Sequence, residues 1–161
     1  MNNRTAKIIG IALVSLTGLL VGSMATYRLL RPRLPHIEVA RSRYPIAGLD
    51  LSSHNGLPDF DSIASAGISF VYLKACEGER FRDPAFTRNY AAAKRAGLQV
   101  GAYHFFRFDC DGRRQAINLL EATSGCQFDL PMAIDIEESG NPAAFVTEIV
   151  VSRLEAMVAH L

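Results

Sequence analysis

Ile68-Ser69-Phe70-Val71-Tyr72-Leu73-Lys74-Ala75 opens the stretch that decides the fold. β-Branched and aromatic residues dominate it, and its one charge stands near the end, so it predicts a buried strand. Asp83-Pro84 follows, an aspartate suited to cap a helix and a proline suited to its first position, where no amide proton is needed. The predicted helix runs to Ala96 and stops at Gly97. Leu98 to Phe106 is apolar again and predicts another strand. Strand, helix and strand joined by short connections form the unit from which parallel sheets are built.

The same alternation extends both ways. Upstream, Pro45-Ile46-Ala47-Gly48-Leu49-Asp50 reads as a short buried strand ending in a carboxylate, and Asp59 to Ala66 as a turn or two of helix stopped by Gly67. Downstream, Arg113 to Ser124 reads as a helix closed by Gly125, and Leu130 to Ile136 as a strand. Asn141-Pro142 then opens a last helix that runs to Leu161. Four strand–helix repeats predict an α/β fold with a parallel sheet, its near-continuous apolar strands buried on both faces. The polar residues gather at the carboxyl ends of the strands, the end at which barrels of this kind do their chemistry. A complete eight-stranded barrel takes about 250 residues, and only ~115 follow the linker here. The expectation is therefore about half of a TIM-type barrel, truncated at its C-terminal side.

The chain has 161 residues, 49% hydrophobic and 20% charged, with no tryptophan. That composition suits one folded domain with an apolar segment attached, and excludes a disordered or fibrous chain. The net charge of +1 joins two unlike parts. Residues 1–37 carry +5, and the remainder, with 12 basic and 16 acidic residues, carries −4. A mildly acidic domain lacks the cationic field that nucleic acid requires. Ile8 to Ala25 is uncharged and, at roughly 18–20 residues, long enough to cross a bilayer as a helix. Residues 1–30 are therefore expected to form a signal anchor or a signal peptide. Arg4 and Lys7 supply a basic start, and Ser23-Met24-Ala25 a small-x-small cleavage site. Arg28, Arg31 and Arg33 act against export by the charge rule. The reading nonetheless places the domain outside the cytoplasm, membrane-anchored or secreted. Pro32 and Pro35 stiffen residues 31–44 as a linker, leaving 45–161 as the domain.

Cys76, Cys110 and Cys126 leave at least one thiol unpaired. Cys110 and Cys126 flank a predicted helix about 18 Å long, whereas a disulfide needs Cα atoms within roughly 7 Å. They are read as small buried residues or, if the flanking loops fold back, as a bridge. No histidines stand at ligand spacing beside them, so neither a metal nor a cofactor is expected.

Asp135-Ile136-Glu137 is the most informative pair. Residues two apart on a strand point to one face, so both acids are expected in one cleft. There their mutual repulsion raises one pKa, giving a proton donor beside an ionised carboxylate, the combination that glycosidic cleavage requires. Asp50 would project from the same rim. In Tyr103-His104-Phe105-Phe106 either Tyr103 and Phe105 or His104 and Phe106 face the cleft together. Their rings suit stacking on sugars or core packing. Lys74 and Glu77 close the preceding strand, to hold a carboxylate ionised or to form a surface ion pair.

Gly48-Leu49-Asp50-Leu51-Ser52, Lys74-Ala75-Cys76-Glu77-Gly78, Gly101-Ala102-Tyr103-His104-Phe105-Phe106 and Leu130-Pro131-Met132-Ala133-Ile134-Asp135-Ile136-Glu137 resemble, in that order, the glycoside hydrolase family 25 lysozymes. The resemblance covers residues 46 to about 145. It implies an N-acetylmuramidase that cuts the β-1,4 bond between N-acetylmuramic acid and N-acetylglucosamine in peptidoglycan. Glu137 corresponds to the proton donor, Asp135 to its partner carboxylate and Asp50 to a third acid, with Tyr103, Phe105, Lys74 and Glu77 expected to bind substrate. Cys76 departs from the family's usual threonine and Phe60 from a frequent tryptophan, and the later strands of the family are absent. A non-catalytic wall-binding module or an inactive fragment are the alternatives.

Overall fold

A computed structural model describes residues 43–161. The predicted signal or anchor helix over 1–30, its apolar run Ile8–Ala25 and most of the predicted linker lie outside the described residues. Among those described, no helix is long and apolar enough to cross a membrane.

In chain order the elements are β1 (Gly48–Leu51), a single 3-10 turn (Ser53–Asn55), α1 (Phe60–Ser65) and β2 (Phe70–Glu77). There follow β3 (Phe81–Arg82), α2 (Phe86–Arg95), β4 (Gln99–Phe105), α3 (Gly112–Ala122), β5 (Ala133–Asp135) and α4 (Thr147–Val158). The sheet runs β1-β2-β4-β5, every neighbour parallel, with the short β3 antiparallel to β2. Strands thus lie side by side in the order in which the chain makes them, as successive crossovers of one hand require. The predicted parallel α/β sheet is what forms.

One sheet face carries the core. Leu51, Val71, Leu73, Val100 and Ala102 are buried there with Phe60 of α1, Phe86 and Ala93 of α2, Ala116 and Leu119 of α3, and Val150 and Met157 of α4. Each helix turns apolar residues onto the sheet, while α3 and α4 also leave Ile117, Leu120, Ile149 and Val151 exposed. The opposite face carries bulky rings laid over glycines. A side chain at Gly101 would overlap the ring of Tyr72, so the missing Cβ is what lets that ring lie across β4.

Two helix starts were read too simply. Asp83 does not cap α2 directly. Its carboxylate accepts from Ala85 N at 2.8 Å and from Ser53 N at 2.9 Å, and the helix begins only at Phe86. The carboxylate thereby ties the turn after β1 to the start of α2. Asn141 and Pro142 do not open the last helix either, which starts at Thr147, because the Asn141 side chain is taken up by the β4–α3 loop. Asp59 does cap α1, accepting from Ser62 N. The strand expected over Leu130–Ile136 contracts to three residues. Cys76, Cys110 and Cys126 are all free.

Gly112 begins α3 where that helix presses on α4. A methyl group there would overlap the backbone carbonyl oxygen of Arg153. The Arg153 guanidinium reinforces the contact by donating to the carbonyl of Phe108. Gly112→Ala is therefore expected to lower stability by about 1–3 kcal/mol, the usual cost of overpacking. An unchanged urea midpoint would mean that α3 and α4 do not dock in this way.

Candidate active site

In parallel strands, residues paired in register point to the same side of the sheet, and alternate residues share a face. Asp50 pairs with Tyr72, and Tyr72 with Gly101. Lys74 pairs with Tyr103, Tyr103 with Ala133, and Phe105 with both Glu77 and Asp135. All these positions therefore lie on the face opposite the core. A bulge between Lys74 and Cys76 shifts the register, so that Lys74 and Glu77, three apart, emerge on one side.

On this face Asp50, Tyr72, Tyr103, Ala133, Asp135 and Glu137 line one groove of about 480 Å³. That volume falls in the range of roughly 300–1,000 Å³ usual for small-ligand sites. The two acids of the Asp135-Ile136-Glu137 pair open into the same space, and Ile136 does not line it. Glu137, however, lies beyond the end of β5. Its place is set by the loop that follows the strand rather than by strand alternation.

The Asp135 carboxyl is pushed above its ordinary range, first by burial and then by the negative charge of Asp50, against the opposing pull of Lys74. The partner that raises it is thus Asp50 and not, as the strand pattern suggested, Glu137. Tyr103 lies between these acids. Burial, followed by the charges of Asp50, Asp135 and Asp83, drives its hydroxyl up to about 12, so it remains a protonated donor at neutral pH.

Three residues expected to bind substrate do not line the groove. Phe105 is only 8% exposed. Its ring lies under the Lys74 ammonium, 4.8 Å from the centroid, and Gly140 rests against its other atoms. Lys74 is itself buried and bonds Glu77 at 2.7 Å, with Arg107 3.6 Å from the other carboxylate oxygen. The pair is therefore not the surface bridge that sequence allowed. It sets a cation beneath the groove, where it acts on Asp135.

His104 and Phe106, on the other face, are fully buried. His104 stands 3.1 Å from Cys76 Sγ and 3.0 Å from Gln115 Oε1, and burial lowers its pKa, so it is a neutral packing residue. Cys76 is raised to about 12 by the same burial and is a thiol. Sequence reading overlooked Tyr72, whose hydroxyl donates to Pro131 O at 3.0 Å; its place two residues before Lys74 on one strand was the available signal. Among the described residues no cluster of three or more His, Cys, Asp or Glu side chains is placed to hold a metal ion.

Residues 49–159 match the model of the Glycosyl hydrolases family 25. An autolytic lysozyme of Clostridium acetobutylicum is 37% identical over 90 residues, 56% of this chain and 28% of that protein. Lysozyme M1 of Streptomyces globisporus is 38% identical over 102 residues, 61% of this chain and 35% of that protein. The solved structure of a family 25 glycosyl hydrolase from Bacillus anthracis superposes with a TM-score of 0.70 at 32% identity, over 80% of this chain and 60% of that one. The chain thus spans about a third of the length of these two curated relatives. Its parallel sheet, its groove of three acids and the match across 49–159 agree: the chain belongs to glycosyl hydrolase family 25.

Proposed function

We propose that this chain carries the acid centre of a peptidoglycan-cleaving glycosidase of the N-acetylmuramidase type, cutting the β-1,4 bond between N-acetylmuramic acid and N-acetylglucosamine. The observation that carries this reading is the single groove in which Asp50, Asp135 and Glu137 meet two tyrosines. Carboxyl groups on either side of a scissile bond, in different protonation states, are the requirement of glycoside hydrolysis.

Glu137, on the loop after β5, donates its proton to the glycosidic oxygen. The C1–O bond breaks, the leaving sugar departs as the alcohol, and the positive charge that develops at C1 is met by the carboxylates. Water finally adds to C1 and returns a proton to Glu137. Asp135, held protonated to higher pH by burial and Asp50, orients the N-acetyl group of the substrate or acts directly. The Tyr103 hydroxyl donates to a substrate oxygen, and the rings of Tyr72 and Tyr103 give the sugar an apolar surface. Peptidoglycan lies outside the cytoplasm, and the apolar run Ile8–Ala25 carries the domain there as an anchor or a cleaved signal.

A second reading keeps the groove without the chemistry: a domain that binds wall glycan without cutting it. The two separate cleanly. Full-length protein is expected to clear a cell-wall suspension, and Glu137→Gln to slow clearance by roughly 100-fold or more while leaving sedimentation with the wall intact. Turnover retained in Glu137→Gln excludes it as the donor. Binding by the unsubstituted chain without any clearance supports the second reading.

The raised pKa of Asp135 has a consequence for stability. Its carboxyl ionises near 3.9 in the unfolded chain and higher in the folded one, so stability is lost as pH rises between those two values. Asp135→Asn removes that cost. The variant is expected to be more stable than the parent at pH 7 and to lose its advantage below about pH 3. Urea midpoints at both pH values check this, and a variant less stable at pH 7 contradicts it.

A further inference from the structure

The loop from Ile136 to Asn141 places Glu137, and its anchor is a residue that no expectation gave to the site. The Asn141 side chain makes three hydrogen bonds at once. Its Oδ1 accepts from Phe108 N at 2.8 Å, while its Nδ2 donates to Phe106 O at 3.0 Å and to the carbonyl of Glu137 at 2.9 Å. Phe106 and Phe108 belong to the segment leaving β4, so one amide group joins the backbone of the proposed proton donor to the neighbouring strand's exit. Asn141 N–H also closes a turn onto Glu138 O at 3.0 Å. Gly140, at φ 82°, turns the chain against the Phe105 ring, and the Arg107 guanidinium donates to its carbonyl. On the near side, Phe106 N donates to Asp135 O at 2.9 Å. Glu137 is thus tied two residues before and four residues after to the same short stretch of chain.

We propose that Asn141 is a positioning residue that holds the Glu137 backbone over the groove so that its carboxyl stands beside Asp135. The proposal rests on the reading of Glu137 as proton donor. Only a side-chain amide of this length serves, because the site asks for one acceptor and two donors together. Aspartate keeps the acceptor but sets a carboxylate against two carbonyl oxygens, and alanine keeps neither. Such support matters because the chemistry tolerates little displacement of a reacting group, and Glu137 is itself exposed on a loop.

The test compares full-length protein with Asn141→Ala, Asn141→Asp and Glu137→Gln. It uses amide hydrogen exchange resolved to peptides, urea unfolding, and turnover of soluble peptidoglycan glycan strands. In both Asn141 variants, amides 137–140 are expected to exchange at least about tenfold faster while those of β2 and β4 keep their protection. Turnover is expected to fall between about 10- and 100-fold in kcat, with KM changed little. Unchanged exchange at 137–140 in a folded variant overturns the proposal, as does loss of kcat and affinity together. Global unfolding of both variants also overturns it, since Asn141 would then be a general stability element. Wild-type turnover in Glu137→Gln removes the donor reading instead, and the exchange result still decides whether Asn141 holds the loop.

Discussion

Parallel pairing in register is the constraint from which the rest of the structure follows. Because partners across β1, β2, β4 and β5 point the same way, one choice of register sorts every strand residue into two populations. Leu51, Leu73 and Ala102 go under the helices, and Asp50, Tyr72, Tyr103 and Asp135 go to the groove. A slip of one residue in β1 or β5 would turn an acid, Asp50 or Asp135, toward the helices and an apolar side chain, Leu51 or Ile134, out of the core. The hydrophobic burial that stabilises the fold therefore also fixes the site. The bulge after Lys74 is the one deliberate breach of alternation, and it gives the groove face both members of an ion pair.

That ion pair explains how several acids coexist on one face of a small sheet. Burial first, and then the charge of Asp50 across the groove, make Asp135 costly to ionise. Lys74, buried among Phe81, Phe105 and Glu77, offsets part of that cost from below without entering the groove. Asp83 contributes differently. Its two backbone hydrogen bonds hold the turn that follows Asp50, and it is buried close enough to Tyr103 to act on its hydroxyl. The electrostatics of the groove are thus set as much by residues beneath and beside it as by those that line it.

Much of this was legible in the sequence, for definite reasons. Strand β2 announces itself because Phe70-Val71-Tyr72 is aromatic and β-branched, and Gly97 and Gly125 mark where helices stop. The four motifs that carry the resemblance to family 25 fall on β1, β2, β4 and β5, so the identity of the family and three of its groove acids could be read without coordinates. What escaped was tertiary. Two-residue β3 has no pattern long enough to notice. Asn141-Pro142 carries the local signature of a helix start, but three backbone groups from elsewhere in the fold claim the asparagine first. Phe105 has the spacing of a sugar platform, and only the positions of Lys74 and Gly140 show that it is covered. Likewise Asp135 and Glu137 are neighbours in sequence, yet the charge that matters to Asp135 comes from Asp50, three strands away along the sheet.

The central claim is that Asp50 and Asp135 share one partly desolvated groove as interacting charges. Titration of the Asp135 carboxyl carbon by NMR, in the parent chain and in Asp50→Asn, tests it most directly. The account predicts a midpoint above the ordinary aspartate range in the parent and a lower one once the Asp50 charge is gone. An Asp135 that titrates as an ordinary aspartate in the parent, or whose midpoint does not move in Asp50→Asn, would contradict it.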